Sequence, residues 1–289
     1  MKTLVARETL AVLWTGALAI GVTVLVSGIW AGLLSANLAV SPAVPWSAAV
    51  VALVLFALWS WLGGRFGPRR TQAARRALLR AEPPAAPVFA WATAAGVLWV
   101  VALAGFWIVL HRLVATPGNP GADFSRLPAA TLAVLLVASA ISGAVSEEAG
   151  FRGYFQGALE RRGFGVLAVL ATALVMAPVH ALTQGFVWPT LLFYLLVDGM
   201  LGALAYVTGS IRPGILVHAV GLLVFFALIW PQDAHRSLIW THGLDAGFWI
   251  SVVQTVAFGA LGALAFLRLT QLAKRGSPAV PTAGRFAAA

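Results

Sequence analysis

Hydrophobic positions along this chain come in long runs separated by short polar or Pro/Gly-bearing breaks. Eight runs approach the about 20 apolar residues that a bilayer core requires of a helix. They cover approximately 9–36, 46–64, 88–111, 129–150, 164–186, 189–208, 213–230 and 247–270. The breaks fall at Pro42 and Pro45, Pro83-Pro84, Pro117 to Pro128, Gly163, Gly209 with Pro213, and Pro231. The first run follows Lys2 and Arg7, as a signal peptide would, but it is too long for an h-region of about 7–15 residues and reads as a retained helix. Trp46, Trp91, Trp188 and Trp230 lie near run ends and read as interfacial anchors. No internal repeat or pair of inverted halves is visible, and the tail after Lys274, rich in Ala, Pro and Gly, reads as disordered.

Composition agrees with the pattern. Of 289 residues 61% are hydrophobic and 10% charged, with a mean hydropathy of +0.91. A soluble domain has about 25% charged residues, so a soluble enzyme, a disordered protein and the usual nucleic-acid-binding domain are all excluded. The absence of cysteine removes disulfides, thiolate metal sites and cysteine nucleophiles. The net charge of +10 is a matter of topology. With the N-terminus inside and the connections assigned alternately, 16 of the 19 Lys and Arg fall on one side, which is therefore cytoplasmic and holds both termini. The basic connection Arg65 to Arg80 reads as topogenic, or as an amphipathic surface helix against anionic lipid. Seventeen Arg against two Lys, with abundant Ala, suggests a GC-rich bacterial genome and hence an inner-membrane protein. The expected fold is an all-α polytopic membrane protein of about eight transmembrane helices. Residues 1–128 form a three-helix scaffold with the basic loop, 129–230 a core, and 231–289 the last helix and tail.

Ionisable side chains inside spanning segments cost about 2.5–3.5 kcal/mol on insertion scales and mark functional candidates. Here they are Glu147, Glu148, His180, Asp198 and His218, all in the fourth to seventh runs. Adjacent on a helix, Glu147 and Glu148 diverge by about 100°. Arg152, four residues after Glu148, can pair with it in the favourable acid-before-base order and leave Glu147 free. Arg161, Arg162 and Gly163 mark a cytoplasmic turn, and Glu147 and His180 are equally far from it along the chain. In an antiparallel hairpin they lie level, roughly 25 Å from the turn. His218 lies about 10 Å from the turn at Gly209 to Arg212, which places the polar site in the cytoplasmic leaflet.

These residues resemble a known family. Glu147-Glu148-Ala149-Gly150-Phe151-Arg152 matches the EExxxR motif of the CPBP intramembrane proteases, the family of CAAX prenyl endopeptidases and bacteriocin-processing proteins, and Gly153-Tyr154-Phe155-Gln156 continues the likeness. Met176 to His180 is similar to the second motif, FxxxH, with Met in place of the aromatic. Thr208 to Pro213, followed by His218, resembles the approach to the third motif, HxxxN. That motif's Asn is here Leu222. Asp198 lies as far from Ser210 as Leu222 does and is expected to compensate, its carboxyl directed toward His218.

The resemblance implies an endopeptidase that cuts a membrane-anchored polypeptide near its anchor, with the bilayer as its other partner and no nucleic acid. Glu147 and His180 activate water as general bases, Glu148 and Arg152 orient them, and His218 donates to the oxyanion. The family name also implies a metalloprotease, for which Glu147, His180 and His218 would ligate a divalent metal such as zinc, although HExxH is absent. Two other classes fit the residues: a non-catalytic relative that binds a membrane partner, suggested by Leu222, and a proton-coupled transporter using the buried acids as a relay.

Overall fold

The computed structural model describes residues 2–114 and 127–276. Within them the order is α1 (Lys2–Val40), α2 (Trp46–Leu62), a 3₁₀ turn, α3 (Gln72–Leu79), α4 (Ala86–Leu113), α5 (Ala129–Glu147), a π-helix (Glu148–Gln156) and α6 (Gly157–Glu160). Then come α7 (Val166–Gln184), α8 (Trp188–Thr208), α9 (Arg212–Val224), a second π segment (Phe225–Ile229), a 3₁₀ turn, α10 (Ile239–His242) and α11 (Ala246–Gly276). No strand occurs among the described residues. The part of the third break from residue 115 to Arg126 and the tail from residue 277, including Arg285, lie outside them.

Among the described residues seven helices are long and apolar enough to cross a membrane, so the chain is a polytopic membrane protein. They occupy seven of the eight expected positions. The remaining one, α2, has 17 residues. At 1.5 Å per residue that is about 26 Å, short of the about 30 Å hydrocarbon core. The helix stops because Gly63 and Gly64 follow Leu62, with Gly64 at φ +70°. Its last carbonyls are then capped from outside: Arg75 donates to the Trp61 carbonyl, and the Tyr154 hydroxyl to that of Leu62 at 2.8 Å, while Arg75 also donates to the Phe66 carbonyl of the following turn.

The helices pack as a bundle. Long apolar α11 runs along α4, where Gln254 Nε2 donates to the Val101 carbonyl at 2.7 Å. An aromatic cluster of Trp107, Phe193, Tyr194 and Phe225 joins α4, α8 and the second π segment. At the end opposite the Arg161–Gly163 turn, Arg112 pairs with Asp245 at 2.6 Å and Arg236 with Asp233. The Arg112 hydrogen bond holds the exposed Asp245 carboxyl well below the usual range, at about 2. The basic connection is partly structural rather than wholly a charge signal. Arg80, at φ +54°, donates to Glu160 at 3.0 Å and to the carbonyls of Ala205 and Arg152, tying α3 to the π-helix and α8.

Candidate active site

The segment Glu148–Gln156 departs from the α geometry its sequence suggests and forms a nine-residue π-helix. Such segments are rare and recur at functional sites. Small residues let this one lie close to its neighbours. A Cβ at Gly150 would stand 3.0 Å from the Ala19 carbonyl oxygen of α1. Glu147 is the last residue of α5 and Glu148 the first of the π-helix, so the two carboxylates leave the chain at the junction and point to different surroundings.

Glu148 points inward, with no side-chain exposure. Its Oε1 lies 3.2 Å from Arg152 Nη1 and accepts a hydrogen bond from His218 Nδ1–H at 3.1 Å. A carboxylate has only acceptors, so this bond assigns the proton to Nδ1 and turns Nε2 toward Glu147. Arg152 is fully buried and shared: its Nη2 also donates to the Asp198 carboxylate and, at 3.5 Å, to the Asp198 carbonyl. One guanidinium thus holds two buried carboxylates from two helices, the form in which buried charge is tolerated.

Glu147 points the other way, into a cavity of about 330 Å³ that it lines together with His180, His218, Tyr194, Leu222 and Phe226. Its Oε2 lies 3.5 Å from His180 Nε2 and 3.7 Å from His218 Nε2. It makes no hydrogen bond to another described residue. Those separations are too long for strong direct hydrogen bonds and leave the carboxylate facing both imidazoles. Glu147, His180 and His218 therefore meet at the cavity, while Glu148, Arg152 and Asp198 stand behind it.

The structure departs from expectation in several places. The Asp198 carboxylate does not turn toward His218. It is taken by Arg152, and its other oxygen lies 4.0 Å from His180 Nε2. The reason is that the π-helix packs against α8 and delivers the Arg152 guanidinium to the space between them. Trp230 is not simply an interfacial anchor but lines the cavity, edge-on to Phe225 and Phe226. The walls also include Ser27 and Trp30 of α1 and Val100 and Leu103 of α4, from outside the 129–230 core.

The expected metal set, Glu147, His180 and His218, has the donor chemistry of a zinc site. Among the described residues, however, no group of three or more His, Asp or Glu is arranged to hold a metal ion.

Tyr194 is a contributor the linear reading missed. Its ring stacks on His180 at 4.2 Å and 15° and so fixes the plane of the imidazole. The same depth reasoning that pairs Glu147 with His180 would have found it, since His180 and Tyr194 each lie seven residues from Val187 in the α7–α8 connection.

Gly214 provides a sharp test of how tightly the inner carboxylate is held. A Cβ there would stand 2.7 Å from Glu148 Oε2, a carboxylate already held by Arg152 and His218. Gly214→Ala is expected to leave the helices intact by circular dichroism. It should lower turnover by about 10- to 100-fold, because a displacement of about 1 Å at a reacting group can cost that much. Wild-type turnover in this variant would show that Glu148 can move freely.

Residues 129–224 match the family model described as Rce1-like, the type II CAAX prenyl endopeptidase. The matched stretch contains all six polar residues of the site and ends just before the second π segment. Neither the curated proteins nor the solved structures give a match.

Proposed function

We propose, from the premise that residues 129–224 form a core of the type II CAAX prenyl endopeptidase kind, that this protein is an intramembrane endopeptidase cutting a membrane-anchored polypeptide by direct attack of water. The observation that carries the reading is the meeting of Glu147, His180 and His218 at one cavity. The carboxylate faces both imidazoles across gaps of 3.5 and 3.7 Å.

In this mechanism Glu147, assisted by His180, takes a proton from water as the oxygen attacks the scissile carbonyl carbon. His218, oriented through Nδ1 by Glu148 and doubly protonated, donates from Nε2 to the oxyanion. One well-placed donor of this kind contributes about 3–4 kcal/mol. As the C–N bond breaks, the proton held by Glu147 and His180 passes to the leaving amine. Arg152 and Asp198 touch no substrate; they hold Glu148 and the neighbouring helices in place. A serine nucleophile paired with a base is not seen at Ser139 or Ser146: the cavity-lining Ser139 hydroxyl donates to the Leu135 carbonyl at 2.8 Å and the buried Ser146 hydroxyl to the Ser142 carbonyl at 2.9 Å. Assignment of the Arg161–Gly163 side to the cytoplasm rests on the distribution of Lys and Arg, and that of the chain to a bacterial inner membrane on seventeen Arg against two Lys with abundant Ala.

The test compares membrane proteomes of cells carrying wild type and Glu147→Ala. A membrane-anchored precursor is expected to accumulate uncut in the variant and to be cut again when wild type is restored. Identical processing in both strains would leave a binding or transport role as the better reading.

A further inference from the structure

On the outside of the bundle, behind the helices that carry Glu147 and His218, a second recess of about 430 Å³ lies between α2, α5 and α9. Ala52, Phe56 and Trp59 of α2 form one wall at helical spacing; Ile141 and Val145 of α5 form another, and Arg212 of α9 stands at the border. Apart from that arginine the lining is apolar or aromatic. Phe56 and its neighbour Leu53 are exposed, so this side of α2 faces the surroundings of the bundle rather than its core.

Arg212 is exposed at the start of α9 and donates through Nε to the Ala81 carbonyl. Among the described residues its two terminal nitrogens have no hydrogen-bond partner, so the planar end of the fork is free. The connection it touches is strongly positive. Arg65, Arg69, Arg70 and Arg76 are exposed on the α2–α4 connection, Arg161 is exposed at the neighbouring turn, and Glu82 is the only exposed acid between residues 63 and 85. Burial, followed by the proximity of Arg80 and Arg162, pushes the Arg161 guanidinium below its ordinary value, as crowded cations do.

A hydrocarbon-lined groove with a free guanidinium at one end combines two requirements that a water-soluble anion does not share. Among spanning helices the groove is filled by hydrocarbon, and a planar fork of donors recognises phosphate. We propose that this recess binds one anionic glycerophospholipid, with an acyl chain along α2 and its phosphate on Arg212. The surrounding arginines select a headgroup with net negative charge over a zwitterionic one. This site is separate from the catalytic cavity and does not depend on the proteolytic reading.

The experiment uses the purified full chain in detergent and native mass spectrometry, with dioleoyl phosphatidylglycerol and dioleoyl phosphatidylcholine as probes. Wild type is expected to retain one phosphatidylglycerol in preference to phosphatidylcholine by about five- to tenfold. Arg212→Gln should remove that preference, Arg212→Lys should keep part of it, and Ala52→Phe, which fills the groove, should weaken retention of both lipids. Equal retention of the two lipids by wild type would overturn the proposal, as would an undiminished preference in Arg212→Gln. Displacement of the lipid by millimolar inorganic phosphate alone would show that the groove contributes nothing and would also overturn it.

Discussion

Glu147→Gln is expected to reduce cleavage of the natural substrate by at least about 10²- to 10⁴-fold, the usual worth of a positioned general base, with no measurable change in thermal stability. The two halves of this expectation have different origins. The amide has nearly the shape of the carboxylate, so the junction between α5 and the π-helix keeps its packing. Glu147 Oε2 makes no hydrogen bond to another described residue, and therefore no internal bond to that atom is lost. What disappears is basicity at the point that faces both His180 and His218. The check is a cleavage assay on the precursor identified in cells, run beside a thermal melt in detergent. Activity within about tenfold of wild type would remove Glu147 from the role of base, whatever the melt shows.

The second large effect is on stability. Arg152→Ala should lower the stability of the bundle by about 3–5 kcal/mol, the cost of breaking a buried ion pair by removing one partner. The expectation is at the upper end because Arg152 serves two carboxylates, Glu148 and Asp198, each with side-chain exposure of 1% or less. Activity should fall as well, since Glu148 then loses the cation that holds it beside His218. Arg152→Lys should recover only part of the loss: an ammonium is a point charge and cannot span two acceptors as the guanidinium fork does. Asp198→Asn added to Arg152→Ala should restore some stability by removing one unpaired charge. The measurement is the thermal midpoint of each variant in detergent. An Arg152→Ala melt matching wild type would mean that water or another cation already compensates both acids, and the shared-clamp reading would fail.

These two residues also mark where linear reading ends. The positions of the helices were legible because a bilayer demands long apolar runs, and α1, α4, α5 with its π extension, α7, α8, α9 and α11 occupy runs read from the hydrophobic pattern. Relative depth was legible too. It is one-dimensional, set by residue count from a turn at 1.5 Å per residue, and Glu147 and His180, equally far from the Arg161–Gly163 turn, lie 3.5 Å apart. The pairing of Arg152 with Glu148 is local and follows from helical spacing.

Rotation about the helix axis was not legible. It depends on which neighbour each face meets, and the π-helix at Glu148–Gln156 moves the residues within it, Arg152 among them, out of α-helical phase. That is why Asp198, placed correctly in depth, turns to Arg152 rather than to the space beside Leu222. It is also why Trp30 of α1 and Leu103 of α4, from runs without ionisable residues, become walls of the cavity. Sequence determined which residues are polar, how deep they lie and which helix carries them. Tertiary packing alone decided which of them face one another, because a helix can turn about its axis without changing the depth of any residue it carries.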